Sequence, residues 1–488
     1  MRLLDGIVAQ VTQQPGAPAL VWHGEEVTYG ELYRSACRER DRIAGMRLAD
    51  HEVVGVLAPK SPGAVALVLG CFLAGRPPLL PSPQLGEKAL DTLFAQAGCR
   101  RVLAPNGPTS AAAASGERGR SDTAIMLTTS GSTGLPKIVP LGWGALDRFA
   151  AWAGPYLGLG PGRTVLNYAP LNFDLCLLDV WSTLAHGGRV VLVDPDHATQ
   201  GGHLLGLIAD HDVDVVQAVP MLYRLLLDAS KASGDDRPAL DTVEHVLVTG
   251  DAIPEKTLAE LPGLLPKARL YNLYGCTETN DSFLHEIAVD AIEHPVPIGR
   301  PLPGVEALIV GDRGRVVTGP GTGELYVHTP FQAAGYLDPA RDAGKFVPHP
   351  AGTDDRRWFR TGDLVRRLDD GLVLLDGRSD FQVKVRGVAV NTAEVERILL
   401  DHPDVVEAAA VAVPDPLAGR QLAALVRRGP ETRLNSLTLR QHCARRLPRA
   451  AIPSSLRIVD DPLPTTSTGK VDRQAVERAE TDRQTKEG

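Results

Sequence analysis

The stretch VDVVQAVPMLYRLLLDASKASGDDRPALDTVEHVLVTG (213–250) decides the fold class. Its ends, VDVVQAV (213–219) and HVLVTG (245–250), are short runs rich in β-branched residues, and Tyr223 to Ser230 between them has helical spacing. Strand, helix, strand in that order is a βαβ unit, which lays the two strands parallel in one sheet with helices against its faces. The alternation extends upstream, where VVGVLA (53–58) and RVVLVD (189–194) read as strands and Leu204 to Asp210 as a helix. A large α/β region with mostly parallel sheets is the consequence.

From about Glu324 the character changes. GELYVHT (323–329), GLVLLDGR (371–378) and FQVKVRG (381–387) are strand-like, close together and separated by Gly or Asp turns. Thr392 to His402 has the spacing of a helix with Val395, Ile398 and Leu399 on one face, and VVEAAAVAVPD (405–415) with QLAALVRRG (421–429) read as paired strands. The predicted architecture is α/β: a large N-terminal domain (1–379) of αβ layers with a β-rich subdomain, then a small, mobile α+β C-terminal domain (380–488). SAAAASGERGRSD (110–122) and HATQGGH (197–203) read as loops, and the charged tail after Arg473 as frayed.

The chain has 488 residues, enough for roughly three domains of typical size. Its formal net charge is −8 and no Lys/Arg run is long enough to follow a phosphate backbone, which excludes a nucleic-acid partner. Asp5 interrupts the apolar run a signal peptide needs, and the stretch 63–75 is too short to span a bilayer, so neither export nor membrane anchoring is expected. Six scattered cysteines without a CxxC pair suit reduced thiols and a cytoplasmic location.

The densest chemical feature is LTTSGSTGLPK (127–137), which follows the strand-like AIML. Hydroxyls, glycines and one cation on a loop suit a polyphosphate. A Walker A loop is excluded, because GxxxxGK(S/T) conflicts with Pro136 and Ile138.

This loop resembles the phosphate-binding motif of the adenylate-forming superfamily, which includes acyl-CoA synthetases, luciferases and the adenylation domains of nonribosomal peptide synthesis. The resemblance recurs in order through VTYGELY (27–33), YNLYGCTET (271–279), GELYV and GYLD (323–338), RTGD (360–363), GRSDFQVKVRG (377–387) and STGKVDR (467–473). It implies adenylation with ATP and Mg²⁺. Thr129, Ser130, Gly131, Ser132, Thr133, Gly134 and Lys137 would hold the β,γ-phosphates; Thr277 would meet the α-phosphate and Glu278 would hold the metal. An isolated Thr-Glu pair also reads as a helix start with the acid in its first turn. Asp363 would accept the ribose hydroxyls with Arg378 nearby, while Gly250, Asp251, Ala252, Asn272 and Tyr274 match the adenine site and Gly275 belongs to the same ATP/AMP site. Lys470 would bridge the substrate carboxylate and the α-phosphate, and Asp380 matches the hinge about which the small domain swings.

Asn172 to Gly188, NFDLCLLDVWSTLAHGG, is most similar to amino-acid-activating members, in which the matching Asp174 binds the substrate ammonium. As Asp174 precedes an apolar helical run, it also reads as a helix N-cap. The rest of the matched pocket is Leu175, Leu178, Gln217, Leu247, Thr249, Leu273, Asp281 and Ser282, a mixed aliphatic and polar set. Asp281 could take a second cation or a hydroxyl, or sit solvated in a loop. The small amino acid itself, α- or β-, stays open.

The chain departs from the family pattern at Ile138, Cys276, Ala389 and Asn391. Only a short tail follows STGKVDR and no HHxxxDG motif occurs, so the expectation is a freestanding enzyme that loads the phosphopantetheine arm of a separate acyl or peptidyl carrier protein. An acyl- or aryl-CoA ligase is the competing expectation, and a nonenzymatic descendant of the fold is disfavoured by Lys470, Glu278 and Asp363 occurring together.

Overall fold

Val215–Ala218 and His245–Thr249 are apolar along nearly their whole length because both faces of their sheet are covered, so no side of either strand has to be polar. In the computed structural model they are adjacent and parallel, with Gln217 opposite Leu247. The structure describes residues 2–105, 107, 110–111, 121–129, 136–234, 240–292, 294–379, 382–385, 388–415, 419–430, 432–447, 449–466 and 470–487. Residues 112–120 of the predicted loop 110–122, the expected phosphate-loop residues Ser130, Gly131, Ser132, Thr133 and Gly134, and the expected hinge residue Asp380 lie outside these.

Two compact units are present: Met1–Asp251 with Ala259–Ala307 and Tyr326–Arg360, and Ala252–Leu258 with Leu308–Leu325 and Thr361–Gly488. The first holds a nine-stranded sheet in the order 300–301, 280–287, 269–276, 245–249, 215–218, 164–167, 189–192, 18–22, 25–28. Its six central strands are parallel and the strands at both edges antiparallel. A six-stranded sheet in the same unit runs 110–111, 101–103, 54–56, 78–80, 123–129, 137–142.

The predicted loop 197–203 is half helix. Asp194 caps a short 3₁₀ turn at Pro195–His197, and a helix already begins at Gly201. A Cβ on Gly201 would stand 2.3 Å from the Leu225 carbonyl oxygen, so the glycine that reads as a breaker instead lets two helices approach closely.

In the second unit a three-stranded sheet pairs Val405–Asp415 with Gly419–Arg428 antiparallel and the latter with Ser455–Val459 in parallel. The helix Thr392–Leu400 buries Val395 and Leu399 against this sheet together with Leu439 and Cys443. The tail expected to fray is a helix, Arg473–Glu487. Val476 is packed against Val411 and Leu425, and the fully buried Glu480 is paired with Arg457 at 2.6 Å and Arg483 at 3.2 Å. A buried acid held by two guanidiniums ties this segment down.

Candidate active site

Strand Thr123–Thr129 runs into the phosphate loop and Lys137 opens the antiparallel strand that leaves it, with Thr129 and Lys137 opposite one another. Both ends of the loop are thereby anchored on one ladder. Lys137 Nζ reaches 3.4 Å from the Tyr336 hydroxyl and lies 4.7 Å from the centre of its ring.

Thr277 and Glu278 occupy the turn between strands Arg269–Cys276 and Asn280–Ile287. No helix starts there, which removes the first-turn reading of this pair. The turn is tight: Asn280 adopts φ +52°, and a Cβ on Gly275 would stand 2.3 Å from its carbonyl oxygen. Asn280 donates to the Phe331 carbonyl at 2.7 Å, and Ser282 Oγ lies 3.2 Å from Thr279 Oγ1, so Ser282 closes this turn. Glu278 is buried, and its Oε1 accepts the Tyr336 hydroxyl at 2.6 Å. Burial, then the neighbouring Glu278 charge, drives the Tyr336 phenol upward, so it stays protonated and donating. The backbone N–H of Tyr336 is in turn held by Asp342 at 2.7 Å. Tyr336 lies in the GYLD stretch, whose sequence carries no hint of this bridging role.

Gln217, Leu247, Thr249 and Leu273 sit on adjacent strands with Gln217 opposite Leu247 and Thr249 opposite Leu273. Positions 247 and 249 share a face, so the four form two rows at the carboxyl ends of parallel strands, where open α/β sheets bind ligands. Leu175, Leu178 and Ser282 are buried, and Asp174 is half-buried. Asp174 does not cap a helix: Leu177–Ser182 is a π-helical turn whose capping position is Cys176. Asp281 is opposite Gly275 on the next strand, and burial with the Asp174 charge pushes its carboxyl up to about 8.

Behind this pocket lie polar residues that sequence reasoning missed. Lys60 is buried, and its ammonium donates to the carbonyls of Asn167 at 2.9 Å, Tyr168 at 2.9 Å and Ala169 at 3.1 Å. Burial lowers it to about 7, against the opposing pull of Asp179. Asp179 is completely buried, accepts Asn167 Nδ2 at 3.2 Å, and is held well above the usual carboxylate range by that burial.

Of the residues expected at an adenine site, Gly250 takes φ +82° on the turn after His245–Thr249 and is exposed with Asp251 and Ala252. Asn272 donates to the Pro297 carbonyl at 2.8 Å, and the half-buried Tyr274 meets Phe283 edge-on at 5.9 Å.

In the second unit, Asp363 and Arg378 are opposite each other on paired strands and joined at 2.8 Å. The Thr361 hydroxyl accepts the Asp363 backbone N–H at 2.9 Å, fixing the backbone at this position. Lys470 is half-buried, and its carbonyl accepts the Thr466 N–H at 2.7 Å, which closes the base of the loop it sits on.

An α/β core that brings a cation and a buried carboxylate to one tyrosine hydroxyl, where a hydroxyl-rich segment leaves a strand, suits a nucleotide-handling protein. Residues 7–120 and 108–337 match the AMP-binding enzyme model and residues 394–470 match the AMP-binding enzyme C-terminal domain, and the chain belongs to the AMP-binding enzyme family. It is 37% identical over 359 residues to an L-proline–(L-prolyl-carrier protein) ligase of Streptomyces coelicolor, covering 72% of this chain and 65% of that one. With the ligase of the same description from Pseudomonas fluorescens it shares 34% over 359 residues, 73% and 68% of the two chains. The match thus spans about two thirds of these relatives' lengths. ATP-bound MatB from Rhodopseudomonas palustris has the same fold, with a TM-score of 0.82 at 23% identity over 99% of both chains. No helix of the described residues is long and apolar enough to cross a membrane.

Proposed function

We propose that this chain activates an amino acid with ATP and passes the aminoacyl group to the phosphopantetheine thiol of a separate carrier protein. The observation that carries this reading is Lys137, opposite Thr129 on one ladder and reaching the Glu278–Tyr336 pair, in a chain similar to two ligases that join an amino acid to a carrier protein.

In the first step a substrate carboxylate oxygen attacks the α-phosphorus and pyrophosphate leaves, so two anions must meet in line. Lys470 stands between carboxylate and α-phosphate, Thr277 donates to the latter, and Lys137 with Thr129 to Gly134 orients the β,γ-phosphates. Glu278 suits Mg²⁺, a hard cation that takes one or two carboxylates beside phosphate oxygens, and Tyr336 fixes that carboxylate. When bound, the ion neutralises charge on the phosphate oxygens. Asp363 and Arg378 take the ribose; Gly250 to Ala252, Asn272 and Tyr274 take the adenine; Asp174 takes the ammonium. In the second step the thiol attacks the acyl carbonyl and AMP leaves, after residues 380–488 swing about Asp380 and withdraw Lys470. A cytoplasmic location fits cysteines of which none is in a disulfide.

The test supplies ATP, Mg²⁺ and acids to the purified chain with holo-carrier protein or coenzyme A and reads the thioester by intact mass. An aminoacyl carrier is the expected product; an acyl-CoA formed only from acids lacking an amine overturns the reading in favour of a CoA ligase.

A further inference from the structure

The pocket of the nine-stranded sheet has more buried hydrogen-bond acceptors than the chain itself can satisfy. Asn167 and Gln217 are opposite each other on neighbouring parallel strands, 0% and 1% exposed. The Asn167 side-chain nitrogen goes to one oxygen of Asp179, yet the other Asp179 oxygen, the Asn167 amide oxygen and the Gln217 amide oxygen are buried with no partner among the described residues. Orphaned buried acceptors are rare and costly, and three on adjoining side chains call for one donor-rich group to fill them.

The charges point the same way. Asp179 feels the Asp281 charge, and Asp281 feels that of Asp174. The only nearby cation among the described residues that acts on Asp179 is Lys60, and its three N–H groups are spent on the carbonyls of Asn167, Tyr168 and Ala169. One substrate ammonium at Asp174 leaves two carboxyls unanswered, and burial favours their neutral forms until a cation arrives. The π-helical turn Leu177–Ser182, kept wide by Ser182 Oγ on the Leu177 carbonyl at 2.7 Å and Thr183 Oγ1 on the Leu178 carbonyl at 3.1 Å, carries both Leu178 and Asp179. Such turns concentrate at functional sites.

We propose that the amino acid this pocket takes carries a second amine on its side chain, received by Asp281, Gln217 and the Asp179–Asn167 pair. This rests on the adenylation reading above and adds the class of substrate to it.

The test measures kcat/KM for ATP–pyrophosphate exchange with 2,3-diaminopropionate, 2,4-diaminobutyrate, ornithine and lysine, each against its uncharged analogue of equal length and against proline. The wild-type chain is run beside Asp281→Asn and Asp179→Asn. A site built to bond an N–H rejects the analogue lacking it by up to about 10⁴-fold, so one diamino acid is expected to exceed its analogue by about 100-fold or more. In either variant that ratio is expected to fall at least about tenfold. Preference for proline or another neutral amino acid, or a ratio that neither variant moves, overturns the diamino inference and leaves adenylation standing; no exchange with any amino acid overturns both. Should neither variant fold, the wild-type ratio alone decides.

Discussion

The Tyr336 hydroxyl donates to Glu278 Oε1 across 2.6 Å while Lys137 Nζ stands 3.4 Å from the same oxygen, so one phenol links an acid and a base that are 141 residues apart. The donating phenol holds Glu278 Oε1 in a single orientation, as a hard cation's ligand needs.

Tyr336→Phe removes a hydrogen bond to a carboxylate, a contribution of about 1.5–3 kcal/mol. The Mg²⁺ concentration for half-maximal exchange is expected to rise about tenfold or more, read from a Mg²⁺ titration. A lower thermal midpoint with unchanged Mg²⁺ dependence would show that the tyrosine only packs.

Arg378 holds the Asp363 carboxylate and the Thr361 hydroxyl its backbone N–H. Asp363→Asn is expected to raise KM for ATP about tenfold and to narrow the preference for ATP over 2′,3′-dideoxy-ATP, since both depend on a charged acceptor for ribose hydroxyls. Steady-state exchange with the two nucleotides checks this, and an unchanged preference would place the ribose elsewhere.

The buried charges set a pH dependence of stability. Asp281 sits at about 8 when folded and near the ordinary carboxylate value when unfolded, so from about pH 4 to 8 the native state holds the extra proton and stability falls as pH rises. Lys60, beside Asp179, Asp194 and Cys176, sits at about 7 against an ordinary value near 10.4, so from about pH 7 to 10 the unfolded state holds the extra proton and stability rises with pH. The cluster's contribution is therefore least near pH 7–8. Thermal midpoints across pH should lose the falling limb in Asp281→Asn and the rising limb in Lys60→Met.

Gly377 adopts φ +129°, and a Cβ there would stand 2.2 Å from Asn391 Nδ2. Asn391 accepts the Ala393 N–H at 3.0 Å to cap the helix Thr392–Leu400 and donates to the Asp376 carbonyl at 2.8 Å. Gly377→Ala is expected to cost about 2 kcal/mol or more through backbone strain and a displaced cap, measurable as a lower urea midpoint.

The parallel strands were legible because burial on both faces leaves apolar runs such as VDVVQAV. Lys60 and Asp179 were not legible, since a buried charge has no periodic signature and is explained only by partners such as Asn167, 107 residues from Lys60. The helix Arg473–Glu487 was missed for a related reason: Glu480 in a charged tail reads as solvated until Arg457 is brought to it. Asp174 looked like a helix cap because its apolar run is helical, but Leu177 N–H bonds the Asp174 carbonyl in a turn before the π-helix starts.

The central claim is amino acid adenylation, and ATP–pyrophosphate exchange against α-amino, β-amino, aryl and fatty acids tests it most directly, with Lys470→Ala and Asp174→Ala alongside. The account predicts exchange with an amino acid that disappears in both variants. Exchange confined to acids without an amine, indifferent to Asp174→Ala, would contradict it.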